Sequence, residues 1–99
     1  MIMKIRQYKT NYDEEADVLY ISFGRPKKAI GIEIDEGNVV RVDPFNESIL
    51  GITIIDFNYR YGKTPGSSIQ EKTQIIVPEI LAKFKKYRKA RGPFISTRK

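Results

Sequence analysis

Ile30-Gly31-Ile32-Glu33-Ile34-Asp35-Glu36-Gly37-Asn38-Val39-Val40-Arg41-Val42-Asp43 is the stretch whose reading decides the fold class. Isoleucine takes every second position from 30 to 34 and alternates with Gly31, Glu33 and Asp35. That is the period of a half-buried strand. Glu36-Gly37-Asn38 interrupts it with turn residues, Gly37 being free to take a positive φ. Val40 and Val42 then alternate with Val39, Arg41 and Asp43. Two short strands joined so tightly must run antiparallel, because a parallel crossover needs about a dozen residues.

The same pattern extends in both directions. Val18-Leu19-Tyr20-Ile21-Ser22-Phe23 places Leu19, Ile21 and Phe23 on one face and Val18, Tyr20 and Ser22 on the other. Gly24-Arg25-Pro26-Lys27-Lys28 ends this strand, since proline cannot donate to a central ladder. Ile5–Thr10 predicts a strand before it, with 11–17 as the turn between. Pro44-Phe45-Asn46-Glu47 makes the next turn after Asp43. Ile49 to Asp56 is nearly all apolar apart from Gly51 and Thr53, as suits a central strand or one covered on both faces.

Beyond residue 57 the period changes. Residues 62–72 read as loop, although Ser68 and Glu71 have capping-box spacing. Pro78 suits a first helical turn, and Glu79 would lie near the positive end of the dipole. Ile80, Leu81, Phe84 and Tyr87 then fall within an arc of about 120°, with Lys83, Lys85, Lys86 and Lys89 opposite. Gly92-Pro93 stops the helix. The expectation is one α+β domain: an antiparallel β-meander of about five strands over 1–57, covered by one C-terminal amphipathic basic helix. Residues 58–77 would connect them, 78–91 form the helix, and 92–99 a basic tail.

Composition removes much chemistry. The chain has 99 residues, no cysteine and no histidine. Disulfide frameworks, thiol nucleophiles, imidazole acid–base catalysis and ordinary zinc sites are excluded. We expect no catalytic residue, no metal ligand set and no cofactor. No segment reaches the roughly 18 apolar residues of a membrane span, and the start lacks a signal-peptide apolar region. A cytoplasmic protein that does not bind membrane is expected. Abundant isoleucine and lysine lean toward a prokaryotic source.

The net charge of +6 is unevenly placed. Residues 1–58 carry ten acids and seven bases, whereas residues 59–99 carry eleven bases and two acids. Such segregation suggests an anionic partner: nucleic acid, an acidic protein surface, or the acidic half of another copy. A solvated helix face explains it equally well.

Tyr12-Asp13-Glu14-Glu15-Ala16-Asp17-Val18-Leu19-Tyr20-Ile21 resembles the opening motif of a small prokaryotic family, domain of unknown function 2283. Val39-Val40-Arg41-Val42-Asp43 and Gly51-Ile52-Thr53-Ile54 are similar to its second half, so the resemblance spans about residues 4–57. Thr53 stands where that pattern has glutamate. The family brings no activity. Members that look like toxin–antitoxin partners imply at most an interaction role. The motif residues Tyr12, Asp13, Asp17, Leu19, Tyr20, Ile21 and Gly51 read as structural.

Three constellations could still carry function. The carboxylates of 13–17 lack the spacing and central glycine of a calcium loop, and read as turn formers, a metal site or an acidic docking patch. Tyr59, Arg60, Tyr61 and Lys63 interleave rings with cations, as single-stranded nucleic-acid sites do, or else cover the sheet. Lys83, Lys85, Lys86, Arg88, Lys89 and Arg91 form a basic helix face able to meet phosphates or an acidic partner. Gly62-Lys63-Thr64 lacks the upstream glycine of a P-loop. The first expectation is a non-enzymatic, self-associating protein-interaction module, most simply a homodimer, because a thin core and open sheet edges favour pairing. The alternative is nucleic-acid binding without sequence preference through the basic helix.

Overall fold

The computed structural model describes residues 8–24 and 27–91, except the side chain of Arg91. Five strands come first: β1 (Lys9–Asp13), β2 (Val18–Ser22), β3 (Ile30–Asp35), β4 (Asn38–Val42) and β5 (Ile49–Ile55). Two helices follow, α1 (Phe57–Tyr61) and α2 (Ile69–Arg91). The fold is α+β, with a single antiparallel sheet under α2.

The strand order is β1-β2-β5-β4-β3, so the sheet is not a sequential meander. β5 returns to lie between β2 and β4, a Greek-key arrangement. The end of β2 and the start of β3 therefore lie three strand spacings apart, about 14 Å. Seven residues reach about 23 Å when extended, so the crossing is easily made. Central placement explains why β5 is the most apolar strand.

Strand 1 also differs from the sequence reading. It spans Lys9–Asp13, so Tyr12 and Asp13 belong to the ladder and the turn is confined to 14–17. The expected start at Ile5, the proline break at Pro26 and the tail 92–99 lie outside the described residues.

Period-2 alternation fixes the core face. Leu19, Ile21, Val40, Val42, Ile52 and Ile54 are buried beneath Ile76, Val77, Ile80 and Phe84 of α2. Leu81 and Tyr87 are half-buried beside them, and the four lysines opposite are exposed. Among the described residues no helix is long and apolar enough to cross a membrane.

α2 begins nine residues earlier than Pro78, so 58–77 is not a loop throughout. The capping box decides the start. Ser68 Oγ accepts the Glu71 N–H at 3.1 Å, and Glu71 Oε1 accepts the Ser67 N–H at 2.7 Å. These carboxylate bonds, with the one from the Ser67 hydroxyl, hold Glu71 below the usual glutamate range. Ile69, Thr73 and Ile76 then continue the inward stripe toward Ile80 and Phe84. Pro78 is tolerated inside the helix because it and Gln74, whose carbonyl loses its partner, are both exposed.

Ser68→Ala should cost about 1 kcal/mol in urea unfolding, the value of a lost N-cap. A helix starting at Pro78 would leave that substitution neutral.

Candidate functional site

Asp17 organises the first motif. It sits in the left-handed region at φ 58°, which aspartate tolerates. Its Oδ1 accepts the Tyr12 hydroxyl at 2.7 Å and the Asn58 N–H at 2.7 Å, and its Oδ2 accepts the Tyr59 N–H at 3.1 Å. The Asp17 carbonyl accepts the Phe57 N–H at 3.0 Å. Asp17 thus caps α1 from 40 residues away. Asp13 makes the Asx-type bond expected of a turn, accepting the Ala16 N–H at 3.1 Å. Leu19 and Ile21 are core residues, and Gly51 is buried because the Arg41 guanidinium and the Ile21 carbonyl occupy the space a Cβ would need.

Arg60 holds α1 from the other side. Its Nη2 donates to the carbonyls of Gly37 (2.9 Å) and Ile55 (2.8 Å) and to Asn38 Oδ1 (3.0 Å). Its Nε donates to Ile55 at 3.0 Å. Gly37 has φ 87°, and a Cβ there would lie 2.6 Å from the guanidinium. Asn38 is buried and donates to the Tyr61 hydroxyl at 3.2 Å. The interleaved segment is therefore mostly a clamp. Arg60 and Tyr61 are half-buried and bonded within the molecule, whereas Tyr59 is 86% exposed and Lys63 is exposed.

The basic helix face is likewise divided. Lys83 donates to Asp35 Oδ2 at 3.0 Å, an ion pair that lifts its pKa. Arg88 donates to the Glu47 carbonyl at 2.8 Å and lies 4.7 Å from the Phe84 ring centre. Lys85, Lys86 and Lys89 remain exposed. The Arg91 side chain lies outside the described residues. Antiparallel register collects Asp13, Glu14, Glu15, Asp17, Asp35, Glu36 and Asp56 at one end of the sheet. Lys9, Lys27 and Lys28 lie at the other, together with Asp43 and Glu47.

Two apolar surfaces escape a reading by charge and motif. The sheet face opposite α2 carries adjoining rows: Tyr20 beside Thr53 and Val39, and Val18 beside Ile55. Tyr20 and Ile55 stay about two-fifths exposed. Thr53, at the family's glutamate position, lies on this face, where the Arg41 guanidinium covers Gly51 and donates to the Ile21 carbonyl at 2.7 Å. The second surface is a groove of about 480 Å³ along α2. Ile49, Pro78, Leu81 and Ala82 line it, with Lys85 and Arg88 as its cations. Beside it, Phe45 tips the β4–β5 turn at 93% exposure. An apolar residue at a turn apex was the sequence signal for this surface.

A family model described as "Protein of unknown function (DUF2283)" matches residues 9–58. That span takes in all five strands and the Asp17 motif, and ends before Arg60 and α2. No curated protein and no solved structure matches the chain.

Hydrogen bonds from Tyr12 first, then from the Asn58 N–H, hold Asp17 below its ordinary value of 3.8. The stability this supplies is full above that value and is lost as pH falls through the lowered one. Tyr12 is pushed up from 10.0 to about 12, chiefly by its bond to Asp17. Its share is full below pH 10.0 and is lost as pH rises toward about 12. Asp17→Asn keeps a residue suited to the left-handed region and removes the charge. Its unfolding midpoint should therefore fall less steeply than wild type both in acid and above pH 10.0.

Proposed function

The chain belongs to the DUF2283 family, and on its own geometry we propose that it is a non-enzymatic protein-interaction module that self-associates. The observation that carries this reading is apolar surface held in water on ordered backbone. Phe45 sits almost fully exposed on a braced turn, beside an apolar groove. Contiguous apolar surface of this kind marks contact sites on soluble proteins. The lack of histidine and cysteine supports a non-catalytic role. Antitoxin-like capture of a protein partner is one form this module could take.

Sedimentation equilibrium across micromolar concentrations tests the reading. A reversible shift from monomer to dimer is expected. A monomer at every concentration would overturn it.

A second reading, nucleic-acid binding, rests on the exposed Lys85, Lys86 and Lys89. With Lys83 and Arg88 engaged internally, the contact set is smaller than six basic residues on the helix suggest. Three phosphate contacts give a log–log salt slope of about −3. Triple substitution of these lysines by alanine should abolish that slope in a labelled-DNA titration. No binding at low salt would remove this reading.

A further inference from the structure

We propose that the self-association just described is a two-fold exchange in which Phe45 of each copy fills the groove along α2 of the other; this rests on the reading above and names its contact. The knob is preformed. Asp43 Oδ1 accepts the N–H groups of Phe45 at 2.7 Å and Asn46 at 3.3 Å. These bonds, the Phe45 one foremost, keep Asp43 below the usual aspartate range. The Glu47 N–H donates to the Asp43 carbonyl at 2.9 Å, and the Asn46 side chain accepts the Ser48 N–H at 2.9 Å. Lys27 lies 3.6 Å from Asp43 Oδ2. A turn so constrained loses little freedom on binding.

The hole has the right character. Its volume of about 480 Å³ exceeds the roughly 150 Å³ that accommodates benzene in an apolar cavity. Leu81 and Ile49 offer aliphatic contact, and Lys85 can lie over an aromatic ring.

Knob and hole are also neighbours. Ile49 lies four residues beyond Phe45, and Arg88 of the groove holds the carbonyl of Glu47 in the same turn. A two-fold axis between them lets both Phe45 side chains insert at once and closes the assembly at two copies. At that end Lys27 and Arg88 are paired with Asp43 and Glu47, which leaves the positive charges of Lys28 and Lys85 in excess, so each copy brings a basic excess against its like at the axis. Salt screens that repulsion. The dimer should tighten as salt rises, the opposite of nucleic-acid binding.

The experiment is sedimentation equilibrium of wild type, Phe45→Glu and Ala82→Arg, alone and mixed. Both positions are exposed, so both variants should keep the wild-type far-UV spectrum and unfolding midpoint. Each alone should weaken the dimer about a thousandfold, two hot-spot contacts of about thirtyfold each being lost. Mixing them should restore a heterodimer of intermediate strength, because Phe45 of one variant meets the intact groove of the other. Variants that dimerise like wild type would overturn the exchange while leaving self-association standing. A monomeric wild type would remove both. The chain has no cysteine, so Phe45→Cys/Ala82→Cys gives an independent readout. An interchain disulfide supports the exchange. A link within one chain, or an intrachain link from Ile95→Cys to Ala82→Cys, assigns the groove to the molecule's own segments and contradicts it.

Discussion

The guanidinium of Arg60 is the fixture on which the other parts depend. It bridges two carbonyls, Gly37 in the β3–β4 turn and Ile55 at the end of β5, and an amide oxygen on Asn38. Asp17 binds the same short helix at its opposite end. Five residues are too few for a helix to persist in water by propensity. α1 exists because two charged side chains hold it and Phe57 roots it in the core. Its fixed exit sends the chain through the 62–68 loop, where Lys72 gathers the carbonyls of Gly62 (3.0 Å) and Thr64 (2.7 Å). α2 then starts where its apolar stripe can cross the sheet.

Local chemistry was legible in the sequence, and long-range chemistry was not. Alternation gave the inward set Leu19, Ile21, Val40, Val42, Ile52 and Ile54, because side-chain period is a property of the strand itself. Strand order escaped because short loops dictate antiparallel neighbours only where the chain turns back at once, and 23–29 does not. The helix start was written in Ser68 and Glu71, but Pro78 drew the boundary later. A proline's penalty depends on whether its orphaned carbonyl can reach water, which a sequence does not state. Asp17 and Arg60 carry ordinary surface identities. Only the fold shows that one caps a helix some 40 residues on and the other sits among carbonyls.

The same division orders the functional surface. Charges on α2 that looked like one anion-binding face are split between an ion pair with Asp35, a bond to the Glu47 carbonyl, and three exposed lysines. Charge already used inside the molecule contributes less to an outside partner. Apolar groups at Phe45, Tyr20 and Ile55 have no such internal use, which turns attention from electrostatic attraction to shape. The acidic excess at one end of the sheet and the basic excess at the other then act as orientation signals rather than as a site.

Urea unfolding of Arg60→Lys beside wild type tests the central claim most directly. Lysine keeps the charge but cannot present the planar fork to three acceptors. If Arg60 fixes α1, the substitution should cost about 2 kcal/mol or more, the scale of lost bonds to a charged donor. A change within about 0.5 kcal/mol, as at an ordinary surface position, would contradict the account.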